Sequence, residues 1–250
     1  MLQALLGGKL SSSQENMEDV LTSCVFGSFR YMNPNDGLGV LLKEARGVDP
    51  ADRPFSRLSI TSEPRYLFWP FWDAEGYQNC EPDVVVEFED SNGNNWLVLI
   101  EVKFRSGKTA YADDESDIPT DQLAKEWDQL LAQSAKLGFE PMLVYVTSDV
   151  IYPSNDINNA VEEYRMKRKD APGYKPMRCY WLSWRSLYRM FENSEETVAT
   201  DLRALANKLG LKEFDGFSSA DNFHLTDWRY SIRYEWFERS ARPTTWRYEQ

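Results

Sequence analysis

Residues 82–104 read PDVVVEFEDSNGNNWLVLIEVKF, and the architecture of the chain follows from them. Asp83–Phe88 and Trp96–Phe104 are strand-like runs of β-branched, aliphatic and aromatic residues. Asp90-Ser91-Asn92-Gly93-Asn94 between them carries the turn chemistry of a β-hairpin. Side chains alternate across a strand, so Trp96, Val98, Ile100, Val102 and Phe104 share one face. Leu97, Leu99, Glu101 and Lys103 share the other. An acid and a base on a face otherwise made of leucine are costly unless they pair or bind something.

Upstream, a helix is expected from about Gln14 to Met32. Ser12 with Glu15 three residues later forms a capping box, and Met17, Leu21, Cys24, Val25, Phe29 and Met32 recur at helical spacing. At about 100° per residue, Glu18 lies roughly 60° from the centre of that stripe, while Glu15 and Asp19 lie roughly 120° and 160° away. Glu18 is therefore the acid at the edge of the buried face. The aromatic run Arg65–Trp72 is strand-like, with Pro70 pointing to an edge or a bulge. Its Phe68-Trp69-Pro70-Phe71-Trp72 segment reads as core, with stacking on bases or sugars as the functional alternative.

Downstream, a helix from about Thr120 to Leu137 carries Leu123, Trp127, Leu130, Leu131 and Leu137 on one stripe. Gln122, Glu126, Gln129 and Gln133 lie on its polar neighbour. A buried strand of the parallel type over Met142–Thr147, a helix at 156–168, a strand at 179–183 and helices at 184–192 and 195–209 complete the pattern. The last helix stops at Gly210. The order of elements predicts an α/β fold around a central mixed sheet flanked by helices, with residues 1–190 as the core and 191–250 as a C-terminal helical and aromatic extension packed on it.

Composition narrows the chemistry. With 250 residues the chain is long enough to bury a sizeable core without a disulfide or structural metal. His224 is the single histidine, which excludes His-based zinc sites and His-activated nucleophiles. Three cysteines without a CxxC pair (Cys24, Cys80, Cys179) point to a reducing, cytoplasmic setting. No apolar run exceeds about five residues against the ~20 a membrane helix needs, and the opening MLQALLGGKL lacks the basic segment of a secretory signal. Ser106-Gly107-Lys108-Thr109 resembles the end of a P-loop, but Val102 stands where its first glycine belongs.

The acid and base residues suggest hard-cation chemistry. Asp83 and Glu101, brought together by paired strands, can bind Mg²⁺, with Mn²⁺ as a substitute. Lys103 projects on the same face and could hold or deprotonate a metal-bound water. The plain alternative is a Glu–Lys pair at an exposed strand end. The net charge of −12 is unevenly spread: residues 163–190 carry +6 and residues 1–162 carry −15. A basic stretch of Arg165, Lys167, Arg168, Lys169, Lys175 and Arg178 is thus the expected nucleic-acid face in an acidic body, with a solvated helix surface as the competing reading.

Pro82-Asp83 followed after eighteen residues by Glu101-Val102-Lys103 resembles the PD-(D/E)XK nuclease superfamily, the restriction-endonuclease-like fold. The resemblance covers about residues 14–185 and falls on Asp83, Glu101 and Lys103, with Glu18 as the acid from a preceding helix. It implies a Mg²⁺-dependent nuclease acting on DNA, with Asp83, Glu101 and Glu18 as metal ligands, Lys103 at the attacking water and Gln122 orienting the group. Restriction or antiphage defence are the roles it implies. A protein partner supplying basic surface and a homodimer, since one site per chain cuts one strand, are further expectations; no membrane is expected. The Q-x-x-x-Y of the RecB-like branch is absent, since Gln129 is followed four residues later by Gln133. A non-catalytic scaffold or nucleic-acid-binding subunit with this fold is the main alternative. A carbohydrate hydrolase, in which nine tryptophans and paired carboxylates would serve, is another.

Overall fold

The expected hairpin forms the middle of a five-stranded sheet in the computed structural model, which describes residues 2–9, 18–106, 108, 110–113 and 115–212. Its strands are β1 (Arg65–Phe68), β2 (Val84–Glu89), β3 (Asn95–Val102), β4 (Glu140–Thr147) and β5 (Cys179–Ser183), in that spatial order. β1, β2 and β3 pair antiparallel, while β3, β4 and β5 run parallel. The sheet is therefore mixed. The β2–β3 turn is closed by Asp90, whose carboxylate accepts from the Asn92 and Asn94 amides and from the Trp96 indole. Those donors hold Asp90 down at a pKa of about 2. Gly93 takes the left-handed conformation the turn requires (φ 80°).

The helices are α1 (Leu2–Leu6), α2 (Glu18–Phe29), α3 (Leu38–Lys43), α4 (Gln122–Leu137), α5 (Ser154–Arg168), α6 (Ser186–Met190) and α7 (Thr197–Lys208). Two cores lie on opposite faces of the sheet, as the β3 alternation requires. Val84, Val86, Val98, Ile100, Val102 and Val144 pack with α2, α3 and α7. Val85, Leu97, Leu99 and Tyr145 pack against α4 and α5 through Leu123, Trp127, Leu130, Ile157 and Tyr164. α4 and α5 are the crossovers of two successive parallel connections and cover the same face, as connections of one hand must when the strand order advances one way. Of the apolar stripe expected on α4, Leu137 is exposed, because it sits in the last turn beyond the sheet.

β1 stops at Phe68, before Pro70, and lies at the sheet edge, where a missing N–H is tolerated. α7 buries Leu202 and Leu205 in the core beside α2, and residues 1–213 form one compact unit. The capping box at Ser12 and Glu15, His224 and the aromatic tail beyond residue 212 lie outside the described residues. Among those described, no helix is long and apolar enough to cross a membrane, and Cys24, Cys80 and Cys179 are free thiols.

Candidate active site

Four of the five residues singled out from the sequence meet at the carboxyl end of β3, and the fifth reaches them from α2. Pairing in the hairpin puts Val84 opposite Ile100, so Asp83 stands across from Glu101, one step further along the ladder. The outer oxygen of Asp83 accepts from the Val102 amide at 2.8 Å, which locks its carboxylate over the end of β3. Glu101 and Lys103 point to the α4 face, as alternation demands. Lys103 Nζ lies 2.8 Å from Glu101 Oε1 and 3.2 Å from Glu18 Oε1. Glu18, the first residue of α2, also accepts from the Phe104 amide at 2.7 Å and from the Ser106 hydroxyl at 2.6 Å. It is thus the acid that ties α2 to the strand end. Gln122, in the first turn of α4, donates its side-chain amide to Glu101. Tyr145, the partner of Glu101 on β4, walls the site on that side.

The position of Gln122 depends on a buried network at the start of α4. Asp121 caps the helix by accepting from the Leu123 amide at 3.0 Å. Lys108 forms an ion pair with Asp121 and donates to the Asp156 carbonyl at 2.9 Å. Glu163 of α5 accepts from the Thr120 and Asp121 amides. Lys108, in the segment whose P-loop likeness the sequence already ruled out, is a buried ion-pair partner.

Glu126 is the residue the sequence reading passed over. It sits one turn after Gln122, only 2% exposed, and its Oε2 has no hydrogen-bond partner. Its signal was present: Glu126 lies one turn after Gln122 on the same stripe, so the two share a side of the helix. Burial pushes the Glu126 carboxyl up to about 8, with the charge of Asp83 adding to it. Burial likewise raises Asp83 to about 6 and Glu101 well above the usual carboxylate range, Glu126 and Asp83 contributing to the latter. The carboxylates around Lys103 outweigh its own desolvation and hold it as an ammonium. Gln129, further along the same stripe, turns away from the site and donates to the carbonyls of Trp72 and Gln78.

Among the described residues, no three acidic, cysteine or histidine side chains already surround a single cation position; the Lys103 ammonium bridges Glu101 and Glu18 instead. The donor set nevertheless fits a hard divalent ion. Glu18, Asp83, Glu101 and Glu126 are oxygen donors facing one lysine, and an orphaned carboxylate oxygen is left among them.

The expected basic face is different. Arg165 pairs with Glu162, Lys167 with Glu163, Arg168 with Asp128 and Arg178 with Glu140. Lys167 also donates to the Asp113 and Ser116 carbonyls, and Arg168 to that of Gly76. Only Lys169 and Lys175 of the six stand exposed without such a pair among these bridges. Counting charge along the chain missed the acids that α4, α5 and β4 bring alongside.

The chain matches no protein-family model, no curated protein and no solved structure.

Proposed function

We propose that this chain is a metal-dependent nuclease of the restriction-endonuclease-like kind, hydrolysing phosphodiester bonds in DNA. One observation carries the reading: Asp83, Glu101, Lys103 and Gln122, with Glu18, converge at the carboxyl end of β3 in a carboxylate excess that a single lysine does not balance. The carboxyl ends of parallel strands are also where open α/β sheets bind ligands.

In this reading Asp83, Glu101 and Glu126 hold the cation, and Glu18 completes the site. Bound there, Mg²⁺ supplies polarisation of a phosphate oxygen and a more acidic water. Lys103 stays protonated between its carboxylates, so its part is to hold the water and to offset charge gathering on the phosphate. This arrangement does not suit it as a base. Gln122 fixes the Glu101 carboxylate through its amide, and the Val102 N–H fixes Asp83, so both acids are oriented before substrate arrives. Among biological settings, restriction and antiphage defence remain the proposal.

One observation favours the scaffold reading: the Lys103 ammonium already bridges Glu101 and Glu18, a closed arrangement that needs no cation. The partnerless Glu126 oxygen argues the other way. Cutting of plasmid and single-stranded DNA in Mg²⁺ decides between them. We expect Glu101→Ala and Lys103→Ala each to abolish cutting while leaving the fold intact, and Mg²⁺ or Mn²⁺ to raise the Tm of the unaltered chain. Undiminished cutting by the double variant would place the chemistry elsewhere; no cutting and no thermal shift with either metal would leave the scaffold.

A further inference from the structure

Next to Asp83 lies a surface that the proposed chemistry does not use. Two exposed aromatic side chains meet there, Tyr31 (81% exposed) and Trp69 (37%), and Phe71, 60% exposed, follows Trp69 by two residues. Phe68 and Trp72 are partly buried, as the core reading had it, whereas Trp69 and Phe71 between them face outward. A groove of about 390 Å³ runs between α2 and the end of β1, lined by Ser23, Gly27, Arg30, Tyr31, Phe68 and Trp69 among others. α2 begins at Glu18 of the candidate site, and Trp69 at the other wall of the groove bonds the Asp83 carbonyl, so both walls start from residues of the site.

The rings are held out by construction. Trp69 has a positive φ of 48°, which a bulky residue adopts only where its surroundings enforce it. Its amide is anchored on the Asp83 carbonyl at 3.1 Å. Trp72 and Cys80 exchange both backbone hydrogen bonds at 2.9 and 3.0 Å, and Gln129 of α4 clamps the carbonyls of Trp72 and Gln78. The segment is therefore fastened at each end and tied directly to a proposed metal ligand. Fixed, outward rings cost the fold apolar burial and call for a flat partner.

From this juxtaposition we infer that the groove binds unpaired bases of a single-stranded nucleic acid and delivers the adjoining phosphodiester to Asp83 and Glu101. The inference rests on the nuclease reading and names its substrate class. Stacking on aromatic faces is the means by which single strands are held without sequence preference, and a paired base has no free face to offer. Charge points the same way. Among the described residues, Arg30 is the one cation lining the groove, in a chain of net charge −12. A duplex, whose affinity comes mostly from many phosphate contacts, finds too few here. A strand held by its bases needs only one.

The test is fluorescence anisotropy of the full chain in EDTA, where no cutting occurs, with three labelled probes of equal length: oligothymidylate, a blunt duplex and an abasic strand with the same backbone. Oligothymidylate should bind at least about tenfold tighter than the other two. Tyr31→Ala and Trp69→Ala, which each remove a ring lining the groove, should each weaken it by roughly 5- to 150-fold, the range of one lost stacking contact. Trp69→Tyr, which keeps a ring at the anchored position, should retain binding. Equal affinity for the abasic strand or the duplex overturns the inference, as does unchanged binding by the Tyr31→Ala/Trp69→Ala double variant. Adding Mg²⁺ separates the two readings. Cutting with no preference for the single strand sinks this inference alone, whereas tight single-strand binding with no cutting sinks the nuclease and leaves the groove.

Discussion

At the scale of single residues, burial raises the pKa of several carboxyl groups of the site above the ordinary range. Burial pushes the Asp83 carboxyl up to about 6 and that of Glu126 up to about 8, against ordinary values near 4, by penalising their charged forms. The folded state therefore binds these protons more tightly than the unfolded chain does. Their contribution to stability is complete below about pH 4 and is lost as pH rises through 6 and then 8. In EDTA, the Tm should accordingly fall between pH 6 and pH 8.5 by more than the rest of the protein accounts for, and Glu126→Gln should remove much of that fall and raise the Tm at pH 8. A divalent ion binds the deprotonated form, so Mg²⁺ should flatten the same profile in the unaltered chain and do less for Glu126→Gln. A Tm that rises with pH over this range in EDTA would contradict the buried, proton-holding cluster.

At the scale of elements, the decisive piece is the first turn of α4, because Gln122 and Glu126 ride on it. Glu163 holds that turn from α5, accepting from two backbone amides and the Thr120 hydroxyl while pairing with Lys167. Glu163→Ala leaves those buried donors without an acceptor, at a cost of about 2–3 kcal/mol. For a chain of this size that is a Tm drop of roughly 4–12 °C in a thermal melt. Cutting should fall as well, through kcat more than KM, since the helix presents Gln122 to Glu101 and touches no substrate in the proposed arrangement. Glu163→Gln, which keeps one acceptor, should recover part of both. The sheet edge is a second case. The alternation in β3 follows from the pleat, but the exit of the chain after Phe68 is set by Pro70, the Trp69 turn and the Gln129 clamp together.

Across the whole molecule, the acids that neutralise the basic stretch come from several elements of the fold. The stretch 163–190 looks basic when read alone, yet Arg168 is spent on Asp128 and on the Gly76 carbonyl, with its guanidinium 5.2 Å from the Tyr77 ring centroid. Arg168→Ala strands a buried carboxylate and should destabilise by about 3–5 kcal/mol, measured by denaturant unfolding. Lys169 and Lys175 are exposed and should tolerate reversal to glutamate with little change in stability. If α5 also meets the phosphate backbone, that double reversal should weaken nucleic-acid binding and lower its salt slope by about 0.7 per lost contact for a single strand. An unchanged slope would leave the aromatic groove as the sole path for the strand.

Periodicity and turn chemistry, both local properties, were enough to place every strand of the sheet within a few residues, to put Glu101 and Lys103 on one face and to prefer Glu18 over Glu15 and Asp19. Strict alternation over several residues fits a strand and a three-to-four spacing fits a helix, and Asn-Gly, Pro and Gly punctuate both where the backbone must turn. What local pattern could not contain is which charges become neighbours. Glu126 became a member of the site, Lys108 a buried ion-pair partner and the basic stretch a series of salt bridges only when α4, α5 and the hairpin packed together. The same holds for Trp69 and Phe71, whose composition says core and whose clamped backbone turns them outward. Burial, desolvation and charge pairing are set by residues distant in sequence, and their energies exist only in the assembled fold.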